Sequence, residues 1–219
     1  ESKILELGPE NVSGFVGETI MGGLVGDVPP AKNYWKYIRE VCDRHDVHLI
    51  LDEVYCGTGT SGKVYCCDWD GIRPDFIFIG KTLAAGYGAL SAVITSTLIE
   101  DVIKNVQGRL QHTTTHQAHS LGVAAALSVQ KIIHTDKFLG NVQKMGEYMR
   151  STLKQELGGH PFFYNVRGRG LRFSLEYQCE ERNNFGHKLQ VEMEQKFGVL
   201  INAKWHRVCF TPALILEKS

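Results

Sequence analysis

Lys81 sits where a lysine needs a reason to be. It follows the apolar run Phe76-Ile77-Phe78-Ile79 and Gly80, and precedes Thr82-Leu83-Ala84-Ala85-Gly86. An amine at the mouth of a buried strand loses hydration unless it is paired, deprotonated or used covalently. Two readings follow: a stem that snorkels to solvent or an ion pair, and a nucleophilic amine. Asp52 closes a second apolar run, 47–51, and precedes Lys81 by 29 positions (81 − 52). In a parallel sheet, functional groups gather at the carboxyl ends of strands. Asp52 and Lys81 both fall just past such an end. Glu18 closes a third run, 12–18, and as a lone acid it serves structure or chemistry equally well.

The elements that must hold these groups alternate. Residues 12–18, 47–51, 76–79 and 90–94 read as strands, and Pro29-Pro30 opens a helix with Tyr34, Trp35, Ile38, Val41 and Cys42 on one face. The near-continuous apolar run 47–51 predicts a strand covered on both faces. The order β-α-β implies a mostly parallel sheet. Residues 120–133, rich in small apolar side chains, predict a tightly packed helix, and 138–156 an amphipathic one stopped by Gly158-Gly159. Beyond it come strands at 164–167 and 171–177 around Gly168-Arg169-Gly170, a helix at 185–197, and strands at 199–202 and 208–211. The texture changes near residue 150, which divides the chain into 1–150 and a smaller α/β unit, 151–219.

The chain has 219 residues, with 24 Lys+Arg against 24 Asp+Glu. This neutrality points away from nucleic acid and from membrane surfaces, which usually select a basic excess. No apolar run reaches the ~18–20 residues of a membrane span. The six cysteines are scattered, as in a reduced, intracellular protein, cytoplasmic or in the mitochondrial matrix. Cys66-Cys67-Asp68 has no CxxC partner or histidine cluster to make a metal site, so no metal is expected. Glu1 opens the chain without a start methionine, as expected of an internal piece of something longer.

Several ordered motifs carry a resemblance. The run Leu49-Ile50-Leu51-Asp52-Glu53-Val54, the turn Cys56-Gly57-Thr58-Gly59-Thr60-Ser61-Gly62, and Pro74-Asp75-Phe76-Ile77-Phe78-Ile79-Gly80-Lys81 resemble the class III aminotransferase signature. The likeness continues through His112-Thr113-Thr114-Thr115-His116-Gln117-Ala118-His119, Val166-Arg167-Gly168-Arg169-Gly170-Leu171 and Thr211-Pro212-Ala213-Leu214. It covers nearly the whole chain.

The resemblance implies a fold type I, PLP-dependent transferase-like α/β architecture, with a mostly parallel sheet in the large domain and a smaller C-terminal α/β domain, both incomplete. It implies pyridoxal 5'-phosphate (PLP) as cofactor. Lys81 is then the amine that forms the Schiff base and shuttles a proton, and Asp52 the carboxylate that keeps the pyridine nitrogen protonated. Val54 presses on the ring, and Glu18 lies near the pocket. Thr115 reaches the phosphate of a neighbouring subunit in a homodimer; alternatively it caps the helix at residue 120.

The implied reaction moves an amino group from an amine or amino-acid donor to an α-keto acid. Racemisation, aminomutation or decarboxylation would use the same residues, and a truncated, inactive folding or dimerisation module is a third reading. The family pattern has Arg-Thr where Thr60-Ser61 stand, proline at Thr19, tyrosine at His116 and proline at Ser120. An acid and an arginine found in glutamate users correspond to Gly23 and Cys209, with Arg207 two residues from the latter. A neutral or ω-amine donor is therefore expected. The phosphate loop and stacking aromatic of the family are not found in these 219 residues, so weak cofactor retention is expected of the segment alone.

Overall fold

A computed structural model describes residues 1–23, 25–178 and 182–218. Cys179, one of the six cysteines, lies outside the described residues; Cys42, Cys56, Cys66, Cys67 and Cys209 are free thiols and buried.

The first sheet has the order β1 (Gly14–Glu18), β2 (His48–Asp52), β3 (Phe76–Ile79), β4 (Ala92–Thr95). The first three strands run parallel and β4 returns antiparallel to β3. A short helix α1 (Ser2–Leu7) precedes β1, and α2 (Tyr34–Arg44) crosses from β1 to β2. Trp35 of α2 is buried and donates its indole N–H to the Thr19 carbonyl at 3.1 Å, tying the helix to the end of β1. Asp75 sets the register of the next strand. Its Oδ2 accepts from Leu49 N at 2.7 Å and pairs with Arg39 of α2 at 2.7 Å.

Alternation decides what each strand buries. Leu49, Leu51, Ile77 and Ile79 point into the core with Trp35, Cys42 and Val47, each fully buried side chain contributing about 1.5–3 kcal/mol. The opposite face is open, with Val16 at 58% and Val93 at 62% exposure. Those two belong to β1 and β4; on the same face of β2 and β3, Ile50, Phe76 and Phe78 are half-buried, so the cover expected on both faces of β2 is complete on one and partial on the other among the described residues.

Helix α3 (Thr97–Gln107), capped by Ser96, follows β4, and α4 spans Ser120–Ile133. Tight packing was expected of α4. Gly122, Ala126 and Ile133 are buried, but Leu121 and Leu127 are exposed, so only one side packs.

Helix α5 (Asp136–Leu157) starts at a Thr135 cap and carries Val142 and Met145 into a second core with Val166, Leu171 and Phe173. That core rests on an antiparallel sheet of order β5 (Phe163–Arg169), β6 (Arg172–Tyr177), β8 (Arg207–Phe210), β7 (Asn202–Lys204), with α6 (Arg182–Phe197) between β6 and β7 in the chain. Residue 150, where the sequence texture changes, lies inside α5, and Arg150 Nη1 donates to Gly170 O at 2.6 Å. The two units meet at close backbone approaches. Gly146 of α5 abuts Gly170, and Leu171 N donates to Thr60 O at 3.1 Å. Among the described residues no helix is long and apolar enough to cross a membrane.

Candidate active site

Parallel register brings the predicted residues to one edge. Glu18 pairs with Asp52 across β1 and β2, and Asp52 with Phe78 across β2 and β3. Lys81 is three residues past Phe78 and opens a single 3-10 turn, Lys81–Leu83. Its φ is +46°, a left-handed conformation that costs a non-glycine residue about 1–3 kcal/mol. The turn is held from below. Leu83 is buried, its N–H donates to Gly80 O at 2.9 Å, and its carbonyl accepts from Gln130 of α4 at 2.9 Å. The Lys81 side chain takes no hydrogen bond or ion pair among the described residues, so the ion-paired reading is set aside.

Asp52 is half-buried. Its Oδ1 accepts from Val54 N at 2.9 Å, and its other oxygen has no partner among the described residues. Val54 leans on Gly80, where its Cγ1 would lie 3.5 Å from an added Cβ. Glu18 is exposed, and its Oε2 accepts from Gly22 N at 3.1 Å, which shapes the turn after β1. Lys81, Gly86, Gly88, Ala89, Leu90 and Ser91 line an open depression. Its rim is braced by α4, because a Cβ on Gly88 would meet Gly122 Cα at 2.9 Å.

Thr115 stands apart, exposed in the turn ahead of α4 and without a hydrogen bond among the described residues. The alternative role as helix cap is corrected: His119 caps α4, its Nδ1 accepting from Gly122 N at 3.2 Å. Gly23 and Arg207 do meet. Arg207, 1% exposed, donates from Nη2 to the Gly23 carbonyl at 3.1 Å.

Sequence reasoning passed over Glu53, which is fully buried beside Asp52. Its Oε1 accepts from Thr19 Oγ1 at 2.9 Å and from Cys67 N at 2.7 Å, and its Oε2 from Cys66 N at 2.6 Å. Burial pushes this carboxyl above the usual range, while the three donors pull it back. Thr19 can donate because it stands where the family pattern has proline. Strand alternation was the available signal, since it turns residue 53 inward when residue 52 faces the site.

Among the described residues, then, an amine without a partner borders an open, glycine-rich depression, and a carboxylate oxygen without a partner stands at the end of the neighbouring strand. The class-III aminotransferase profile matches residues 2–219. An aminotransferase of Gibberella zeae is 38% identical over 181 residues, covering 83% of this chain and 35% of that protein. The diaminobutyrate–2-oxoglutarate transaminase of Halomonas elongata is 36% identical over 196 residues, covering 87% and 42%. The crystal structure of the ω-transaminase from Pseudomonas jessenii in complex with PMP superposes with a TM-score of 0.88 at 31% identity, covering 99% of this chain and 50% of that one.

The chain belongs to the class III aminotransferase family. It spans half or less of the length of these relatives. The cofactor of this family is pyridoxal 5'-phosphate, and the amine and carboxylate present fit its aldehyde and its ring nitrogen.

Proposed function

We propose that the complete protein is a PLP-dependent transaminase that takes an amino group from an ω-amine or neutral amino-acid donor and passes it to an α-keto acid. What supports this reading is that Lys81 and Asp52 follow adjacent parallel strands, the lysine without a hydrogen bond or ion pair and the aspartate with one oxygen lacking a partner among the described residues. The cofactor, when bound, supplies an aldehyde for amines and a ring that withdraws electrons from the substrate carbon.

The chain's own residues do the rest. Lys81 Nζ would hold the cofactor through its aldehyde and, when free, would carry a proton to and from the substrate carbon. The free oxygen of Asp52 would hold the ring nitrogen in its protonated, charged form. Val54, held against Gly80, packs on the ring face. Glu18 fixes the Gly22 turn that borders the donor side. Thr115, exposed and without a partner among the described residues, would offer its hydroxyl to the phosphate held by a second subunit, so that a homodimer is the working unit.

The donor class rests on Gly23, which brings no acid, and on Arg207, buried and bonded to the Gly23 carbonyl. The names of the diaminobutyrate and ω-transaminase relatives agree with a donor whose amine is terminal. A donor screen with pyruvate and 2-oxoglutarate as acceptors tests it. Turnover with terminal diamines is expected. Activity confined to glutamate and 2-oxoglutarate refutes the donor class, and loss of none of the activity in Lys81→Ala refutes the reading as a whole.

A further inference from the structure

We propose that Glu53 is the positioning residue for Asp52, a buried knot that fixes the tilt of the ring-nitrogen acceptor from inside the fold. This rests on the reading of Lys81 and Asp52 as the cofactor pair.

The two acids are consecutive at the end of β2 and share one planar peptide, so anchoring the backbone of residue 53 narrows the positions open to residue 52. Among the described residues, the Asp52 carboxylate has a single restraint, the 2.9 Å bond from Val54 N. Glu53 has five on its side chain and backbone. Its carboxylate accepts from Thr19 Oγ1, Cys67 N and Cys66 N. Its backbone N donates to Phe78 O at 2.9 Å and its carbonyl accepts from Gly57 N at 2.8 Å.

Those five partners lie on four segments around the end of β2. Thr19 follows Glu18 and accepts the Trp35 indole through its own carbonyl. Gly57 opens the glycine-rich turn, Cys66 and Cys67 start the 3-10 turn that leads to β3, and Phe78 is the strand partner three residues ahead of Lys81. Glu53 is thus the point through which the ends of β1, β2 and β3 share one geometry.

Space around it is closed. A Cβ on Gly57 would lie 2.8 Å from Glu53 O and 3.0 Å from Oε2, so the knot cannot slide toward the turn. A neutral amide at position 53 presents an N–H to N–H and O–H groups that now find a carboxylate, and one donor pair is forced apart. The strain reaches Asp52 before it reaches any other site group.

The test uses the complete protein loaded with pyridoxal phosphate labelled at the ring nitrogen. Nitrogen chemical shift at neutral pH reads the protonated fraction of the ring, and a fluorescence titration reads cofactor affinity. Glu53→Gln is expected to lower the protonated fraction and to weaken cofactor binding about tenfold, the effect of one charge-assisted hydrogen bond. Asp52→Asn, run beside it, is expected to change both readouts in the same direction and further.

If Glu53→Gln lowers only the melting temperature and leaves both readouts at wild-type values, Glu53 is structural and the proposal is overturned. If Asp52→Asn leaves the ring as protonated as wild type, the cofactor-pair reading fails and takes the proposal with it. Should Glu53→Gln not accumulate in folded form, Thr19→Val removes one of the three donors while keeping the acid. A two- to threefold weakening with a lowered protonated fraction supports the role, and unchanged values overturn it.

Discussion

Two glycines on α5 should answer the same substitution with opposite signs. A Cβ on Gly146 would lie 1.9 Å from Gly170 O and 2.4 Å from Gly170 C, whereas around Gly140 nothing lies within 4 Å. Relief to an ordinary 3.4 Å contact requires the helix and the β5–β6 turn to separate by about 1.5 Å (3.4 − 1.9). The turn has nowhere to go. Gly170 has φ +55° and already sits against Ser61 and Thr60, and Arg150 bonds its carbonyl. Overpacking costs about 1–3 kcal/mol, and stretching the Arg150 bond adds about 1.5–3 kcal/mol. Removing a mid-helix glycine returns about 1 kcal/mol. Gly146→Ala is therefore expected to lose about 1.5–5 kcal/mol, and Gly140→Ala to gain about 0.5–1 kcal/mol. For a chain of this size the first lowers Tm by roughly 3–20 °C and the second raises it by a few degrees. Paired urea and thermal unfolding reads both. Equal signs, or a neutral Gly146→Ala, would refute the close approach of α5 to the second sheet and to the glycine-rich turn.

Other perturbations reach the junction and the site. Arg167 donates from Nε to Gly26 O at 3.0 Å and from Nη2 to Val25 O at 2.7 Å, and pairs with Glu176. Arg167→Ala, which leaves Glu176 buried without this partner, should cost on the order of 3 kcal/mol in a urea titration. Burial raises the Asp27 carboxyl above its unfolded value, against the pull of the Ser174 hydroxyl. Stability from its proton is then present below the unfolded value and lost as pH rises through the folded one. Asp27→Asn should accordingly gain on wild type in urea midpoints at neutral pH and show no gain below the ordinary carboxylate range. Lys81→Ala should leave the unfolding midpoint near wild type, because it touches no side-chain hydrogen bond among the described residues and alanine keeps the same left-handed backbone; a loss above about 1 kcal/mol would show that the amine has a structural partner.

What the sequence disclosed followed from periodicity. Runs ending in Glu18, Asp52 and Lys81 became adjacent strand ends because parallel order is written in the β-α-β alternation. Direction was less visible. Residues 90–94 read as another buried strand, and the pairing with β3 shows that β4, at Ala92–Thr95, runs the other way. Helix α3 repeats Leu98, Val102 and Val106 at helical spacing, yet all three are exposed, so its apolar stripe is not spent on this chain's own core. Glu53 was hidden by its company, since beside the chemical acid it reads as a second polar strand-end residue. Its partners are two backbone N–H groups and a threonine 34 residues away, and side-chain types do not advertise backbone donors. The Arg207–Gly23 contact was equally hidden, since the bond is to a carbonyl, which any residue at position 23 would supply.

Reduction with borohydride of the complete protein loaded with pyridoxal phosphate, followed by digestion and mass mapping, bears most directly on the site. The pyridoxyl group is predicted on Lys81 alone. A label on another lysine, or spread over many, would contradict the assignment of the amine at the end of β3.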